Sequence, residues 1–372
     1  MEAKPIRVLQ VMGIVESGGV EAVIMNYYRH IDKSKVQFDF VMHKGSNPAY
    51  IAEVKAMGAK VYEITPYSQN ILRFIIEIFK ICKDGKYKIV HINMNSLSGF
   101  SLMAAYFAGV PRRILHNHTT DSSKEGLRTL VKRFLRPFAK LFANRYFACS
   151  NKAAEWMYGK SKLESGNVII INNAIDLKRF TFNSAKREQV RKHLAIEDSF
   201  VIGHVGRFVK TKNHIFLVEA FEEVLKSVPN AKLLLIGDGP LKKQIEDKVR
   251  KLGLKDKVIF SGVRSDVADL YNAMDVFVLP SLYEGLPVVG VEVQANGLPF
   301  ICSSNVTKEI LLTDRVKLMD LSSGTKAWKD VICQYAGHDR HKADADIANS
   351  GFDIAVEAKI LEKVYFEVLD DA

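Results

Sequence analysis

No stretch of this sequence approaches the roughly 18 to 20 consecutive apolar residues that cross a bilayer, so no membrane span is expected. The opening residues, Met1-Glu2-Ala3-Lys4-Pro5, run straight into an apolar segment, so no secretory leader is expected. Cysteine is sparse: Cys82, Cys149, Cys302 and Cys333 lie far apart and form no C-x-x-C. That spacing argues against a structural zinc site or a disulfide framework and reads as reduced core residues of a cytoplasmic protein. Low-complexity tracts and internal repeats are missing. So are G-x-G-x-x-G and the Walker loop, which weakens dinucleotide and P-loop readings, an oxidoreductase among them. No D-x-D element stands at a strand end, and no RNA-domain motif occurs.

What is present suits two domains. The 372 residues exceed one typical core, and a hydrophobic content of 48% is that of a globular chain. The formal charge of +11 calls for an acidic partner: a nucleic acid, an anionic lipid surface or a phosphate-rich ligand. Apolar runs and amphipathic segments alternate from Ile6 onward. Strands are expected at 6–12, 36–42, 60–64, 88–93, 112–118, 145–150 and 167–171, with helices at 49–57, 69–84 and 97–108 between them. This alternation predicts an α/β, doubly wound parallel sheet. A second series follows at 200–205, 231–236, 257–261, 276–279 and 300–303.

The polar residues of interest cluster where these strands end. After the first strand, Gly18-Gly19 opens a helix whose amides can approach a phosphate. The 112–118 strand ends in His116-Asn117-His118-Thr119-Thr120; period two puts both histidines on one sheet face, and no third ligand adjoins them for a metal. Gly206-Arg207-Phe208-Val209-Lys210-Thr211-Lys212 places cations where a helix begins, against its macrodipole, which suggests that an anion is expected there. The 276–279 strand leads to Ser281-Leu282-Tyr283-Glu284-Gly285-Leu286-Pro287, and Glu292 follows eight residues after Glu284. Read as a helix from 286 with Pro287 in its first turn, this puts the second carboxylate about two turns deeper on the same face. Two acceptor-only groups suit a ligand rich in hydroxyls; the bland alternative is a helix-dipole carboxylate and a solvated glutamate. Finally, 124–146 carries Lys124, Arg128, Lys132, Arg133, Arg136, Lys140 and Arg145 beside an apolar stripe, with Pro137 expected to kink or split the helix. Such a segment reads as an anionic-membrane surface element or as an ordinary domain helix. Nucleic acid is disfavoured for want of interleaved exposed aromatics.

Taken together, E-G-L-P-x-x-x-x-E at 284–292, G-R-x-x-x-x-K-N at 206–213, G-G-x-E at 18–21, the histidine strand end and Asn172-Asn173-Ala174-Ile175-Asp176 resemble, in order, the retaining GT-B glycosyltransferases of family 4. The subgroup most similar makes bacterial exopolysaccharide and capsule. The resemblance covers essentially the whole chain and implies two Rossmann-like domains facing across a cleft. It implies an acceptor domain at 1–178, a nucleotide-sugar domain at 179–350, and a final helix in 351–372 crossing back. The implied reaction is hexosyl transfer, with retention, from a nucleoside diphosphate sugar, expected to be a UDP-sugar, to a lipid-linked or saccharide acceptor. No cofactor or metal is implied. Arg207 and Lys212 would neutralise the leaving diphosphate, assisted by Gly18, Gly19 and Gly206. Glu21 would face the donor diphosphate and acceptor, while Glu284, with Gly285, Leu286 and Pro287, would hold the sugar. Glu292 would hold the ribose, Arg264 would border the base, and His118 (or His116) would steady the sugar. Loops at 45–50 and 119–126 would shape acceptor choice. Asn173 replaces the family's glycine and is expected to tolerate a left-handed turn. Localisation is expected to be cytoplasmic, with peripheral contact at the inner face of the plasma membrane through 124–146. A GT-B sugar-nucleotide 2-epimerase and a non-enzymatic membrane-binding protein are the rival readings.

Overall fold

The structure, a computed structural model, describes residues 4–16, 18–120, 127–338 and 346–370, and for 127–133, 346 and 348 the backbone alone. The 121–126 part of the expected acceptor loop and the side chains of Lys124, Arg128, Lys132 and Arg133 thus lie outside the described residues. The chain divides into two compact units, 1–172 with 354–372, and 173–353.

The first unit holds seven parallel strands: β1 (Ile6–Val11), β2 (Val36–His43), β3 (Val61–Ile64), β4 (Ile89–Ile92), β5 (Arg112–Asn117), β6 (Arg145–Ala148) and β7 (Ile169–Ile170), in the order β3-β2-β1-β4-β5-β6-β7. The second holds β8 (Phe200–Val205), β9 (Ala231–Ile236), β10 (Val258–Gly262), β11 (Val276–Leu279), β12 (Phe300–Ser303) and β13 (Val316–Met319), in the order β10-β9-β8-β11-β12-β13. Both are Rossmann-like, with strand order reversing beside β1 and beside β8. Central strands are apolar without alternation because helices cover both sheet faces; all four residues of β11 are fully buried. The edge strand β13 was not expected from the sequence. Its four residues are only partly buried or exposed, so no buried apolar run marks it.

The helix Ile354–Asp370 belongs to the first unit, where Tyr365 is fully buried. Its hydroxyl meets Gln10 of β1 and His91 of β4. The division at 172/173 precedes the expected boundary by a few residues, so the Asn173–Asp176 stretch belongs to the second unit. Asn173 does not adopt a left-handed conformation. It is buried, and its side-chain amide donates to the Leu286 carbonyl at 2.6 Å, a job that glycine cannot do.

In the second unit Asp275, just before β11, joins three elements. Its carboxylate pairs with Arg187 and Arg191 of the helix Ser184–His193 and accepts the Val201 N–H of β8 at 2.7 Å. Arg191 is itself buried. Removing one partner of such a cluster leaves an uncompensated charge. Asp275→Ala is therefore expected to lose about 3–5 kcal/mol, read as a lower urea midpoint for the second domain with little change in slope.

Candidate active site

The second sheet reverses order between β8 and β11, and ligands of open α/β sheets bind beyond the strand ends at such a point. The loop after β8 starts at Gly206. A side chain on Gly206 would lie 3.1 Å from His204 Nε2 and 3.3 Å from the Lys212 methylenes, so glycine keeps the turn tight. Gly237 (φ +132°) backs the same loop, its absent Cβ falling 2.2 Å from the Gly206 carbonyl. The helix begins at His214, not near Lys212: a 3-10 turn covers Lys210–Lys212, and Asn213 is left-handed at φ 55°. From this turn Lys212 Nζ reaches Glu284 Oε1, beyond β11, at 2.6 Å. Ser281 Oγ donates to the same oxygen at 2.9 Å. The Leu282 N–H donates to the Thr211 carbonyl at 2.8 Å, and the Thr211 and Tyr283 hydroxyls lie 3.1 Å apart. The candidate phosphate cation and the candidate sugar carboxylate thus neutralise each other. Arg207 stands on the same loop with its side chain exposed.

The helical spacing expected for the two glutamates does not hold. The helix is Val288–Ala295 with Pro287 as its cap, so Glu284 lies in the preceding loop and Glu292 within the helix. Proline has no N–H to give and disfavours helical geometry in the residue before it, which delays the start. Gly285, Leu286 and Pro287 are buried where the loop turns. Glu292 accepts from the Tyr271 hydroxyl at 2.7 Å. Burial pushes its carboxyl above the usual carboxylate range, while the Tyr271 bond and Arg179 pull the other way. Tyr271 lies 21 positions upstream, and no local motif signals the pairing. Arg264 is exposed, clasped by Asp266 through two bonds of 2.7 and 2.5 Å.

Two buried imidazoles lie behind the Lys212 loop. Burial pushes His204 down to about 4 and His214 to about 2, with Lys212 adding to both shifts. His204 Nδ1 donates to the Val278 carbonyl at 2.8 Å, which leaves Nε2 as the lone-pair nitrogen beside Gly206.

In the first unit Gly18 caps the helix Gly19–His30 in extended conformation (φ −97°). The Glu21 carboxylate folds back over it, to 2.3 Å from where a Gly18 Cβ would stand, so any side chain there displaces Glu21. The loop is laced to the turn after β2: Val15 N–H donates to Ser46 Oγ at 3.0 Å, and Ser46 Oγ to the His43 carbonyl at 2.7 Å. Beside it opens a cavity of about 490 Å³ that includes Met12, Glu21, His43, Tyr67 and Asn93 in its lining. Sequence reading reached Glu21 but not His43, Tyr67 or Asn93. His116 and His118 do share a face, their ring centroids 3.9 Å apart. His116 is buried and His118 only partly so, which makes His118 the accessible imidazole. Among the described residues no group of three or more His, Cys, Asp and Glu side chains gathers as for a metal.

The basic helix runs as one element, Leu127–Phe142, through Pro137. Its apolar stripe is divided. Phe138 packs 2.5 Å from where a Gly99 Cβ would stand, and Phe142 lies 5.6 Å from the Tyr106 ring, both against the helix Ser98–Phe107. Phe134 and Leu141, 82% and 74% exposed, share an adjoining face with exposed Pro137. Phe107, at 66%, is exposed as well. Contrary to expectation, aromatics do stand exposed among these cations. Arg136 is partly engaged, donating to the Trp156 carbonyl and lying 5.8 Å from that ring.

Comparison with known proteins agrees with this geometry. Residues 17–179 match the family described as Glycosyltransferase Family 4, and residues 185–312 match Glycosyl transferases group 1. EpsF of Bacillus subtilis (strain 168), provisionally named a glycosyltransferase, is 35% identical over 98% of this chain and 97% of its own. The Escherichia coli UDP-Gal:alpha-D-GlcNAc-diphosphoundecaprenol alpha-1,3-galactosyltransferase is 30% identical over 63% of this chain and 62% of its own. Among solved structures, Anabaena HepE (Alr3699), crystallised with UDP and glucose, superposes with a TM-score of 0.78 at 18% identity, over 96% of this chain and 99% of that one. The chain belongs to the GT-B glycosyltransferases of family 4.

The Tyr271–Glu292 pair yields a pH prediction. Nucleotide binding that needs ionised Glu292 weakens on the acid side, and losing the Tyr271 bond raises that carboxyl further. In titrations with UDP, the acid limb of affinity for Tyr271→Phe is expected to move to higher pH than for wild type. Coincident profiles would show that nucleotide binding does not depend on Glu292.

Proposed function

We propose that this glycosyltransferase moves a hexosyl group from a UDP-sugar to a lipid-linked acceptor in exopolysaccharide or capsule assembly, with retention and without a metal. The observation that carries the reading is the Lys212–Glu284 pair at the reversal point of the second sheet. A diphosphate arriving there offers Lys212 a better-matched anion than the glutamate. Glu284, released, then accepts from sugar hydroxyls while Ser281 keeps it oriented. The printed name of the Escherichia coli relative supports a UDP-sugar and a diphosphoundecaprenol-linked acceptor.

The reaction breaks the bond from the anomeric carbon to the diphosphate oxygen and forms one to an acceptor oxygen on the same face. The acceptor's proton passes to the leaving phosphate, so no protein base is required. Negative charge grows on the diphosphate, and Lys212, Arg207 and the amides after Gly18 are the groups assigned to stabilise it. Glu292 holds the ribose hydroxyls and His118 the transferred sugar. The acceptor occupies the cavity at Glu21 and Tyr67. The membrane surface supplies that acceptor, met by Phe134 and Leu141 with the neighbouring cations; each cation near an anionic surface contributes about 1 kcal/mol.

Partner exchange at Lys212 separates two variants. Lys212→Ala is expected to weaken UDP, measured calorimetrically in EDTA, by about one to two decades, the worth of a charged hydrogen bond of about 1.5–3 kcal/mol. Glu284→Gln frees Lys212, so UDP is expected to bind more tightly while sugar transfer falls by a similar factor. Loss of UDP binding in both variants, or retention of transfer in Glu284→Gln, would overturn the exchange. Product anomers read by NMR test retention, and monosaccharide released without an acceptor would indicate the epimerase-like reaction instead.

For the membrane contact, flotation with vesicles rich in phosphatidylglycerol is expected to carry the wild-type protein. Phe134→Ser with Leu141→Ser should remain in solution with its fold intact. Equal flotation of both proteins, or preference for RNA over vesicles, removes the proposed surface.

A further inference from the structure

A chain of buried hydrogen bonds ties the accessible His118 to the last helix. His118 Nε2 lies 2.9 Å from Asn93 Oδ1. Asn93 Nδ2 donates to Gln10 Oε1 at 3.0 Å, and Gln10 Nε2 donates to the Tyr365 hydroxyl at 3.0 Å. The Tyr365 hydroxyl is also 2.7 Å from His91 Nδ1, and His91 Nε2 is 2.9 Å from His116 Nδ1. Gln10, His91, Asn93 and Tyr365 are all buried.

Each amide has one donor end and one acceptor end, so fixing one proton fixes them all. Two orders pair every link of the chain, one the reverse of the other; His116 Nε2, which has no partner, carries a proton in one and a lone pair in the other. The His91 main-chain carbonyl decides between them. It lies 3.4 Å from the Asn93 atom that also faces Gln10, and a carbonyl oxygen cannot face another oxygen acceptor without repulsion. That atom is therefore the nitrogen, Asn93 Oδ1 faces His118, and His118 carries its proton on Nε2. Along the other arm Tyr365 donates to His91 Nδ1, and His91 Nε2–H donates to His116 Nδ1. The main chain is held as well: the His118 N–H donates to Asn95 Oδ1 at 2.8 Å, from a residue in left-handed conformation (φ 51°).

We propose that Asn93, oriented by the His91 carbonyl and Gln10, is a positioning residue that holds His118 as the Nε2–H tautomer, so that its Nδ1 is offered to the sugar only as a hydrogen-bond acceptor. This rests on the reading above that His118 meets the transferred sugar. Charge does not intervene: burial pushes His91 and His118 down to about 3 and His116 well below its ordinary range, so the imidazoles are neutral at working pH. A sugar hydroxyl can donate to such a nitrogen, whereas the opposite tautomer would offer a donor. The order is set at Asn93 by the His91 carbonyl and runs through Gln10 to Tyr365, 274 positions from His91.

Two-bond 1H–15N correlation spectra of the full-length, ligand-free protein labelled at histidine, with His118→Gln used for assignment, read the tautomer directly. Wild type is expected to show His118 as Nε2–H alone. Asn93→Asp keeps the oxygen acceptor and is expected to keep that tautomer, whereas Asn93→Leu should give a mixture. Tyr365→Phe leaves His91 and Gln10 without their shared partner and should give mixed tautomers at His91, while the His91 carbonyl and Asn93 keep His118 as Nε2–H. A His118 Nδ1–H form in wild type, or an unchanged single tautomer in a folded Asn93→Leu, overturns the proposal. The sugar-contact reading fails separately if His118→Ala matches the wild-type rate of UDP-sugar turnover while the spectra behave as expected.

Discussion

In a parallel sheet every strand ends at the same edge, and the chemistry of this protein follows from that constraint. Backbone groups inside each sheet are paired, and its faces are covered by helices. Polar side chains that must meet a ligand are therefore left to the strand ends. Gln10, His91, Asn93 and His118 gather at one such edge. Lys212, Ser281 and Glu284 gather at the other, each set beside the place where strand order reverses. Reversal matters because the loops from two adjacent strands leave in opposite directions there and open a crevice between them.

The two edges manage their polar groups differently. In the second unit a lysine and a glutamate meet directly, and Ser281 holds the glutamate in place. Such a pair is satisfied without a ligand yet can be replaced by one of suitable charge. In the first unit the partners are neutral amides, a phenol and imidazoles. Their bonds specify direction more than they add electrostatic attraction. One edge holds an ion pair, the other a fixed pattern of donors and acceptors.

Much of this was legible in sequence because parallel strands announce themselves. Val276–Leu279 and Leu233–Ile236 are apolar without interruption, and each is followed at once by glycine or proline. Motifs placed at strand ends could thus be located before any geometry was known. The helical arithmetic from Glu284 to Glu292 failed because Pro287 caps the helix instead of entering it, so the first glutamate is carried by a loop. The stripe on Leu127–Phe142 looked uniform, yet Phe138 packs over Gly99, partly buried, while Phe134 stays outside. Tyr271, Tyr365 and Asn93 left no local trace. Each acts through a partner distant in sequence or by orienting another side chain, and periodicity records neither. The role of Asn173 was misassigned for a related reason: a residue tolerant of unusual backbone was present for its amide.

The placement of Ile354–Asp370 in the first unit bears on how the chain is made. Synthesis delivers residues 1–172 early, but the phenol that closes their buried polar network appears only after the second domain. The entire second domain must emerge in the interval. Until then the first sheet carries Gln10 and His91 without the group they share, in a layer open to solvent where the helix will lie. Domains in most multidomain chains mature from the N-terminus onward. Here the domain begun first is completed only after the second has been made.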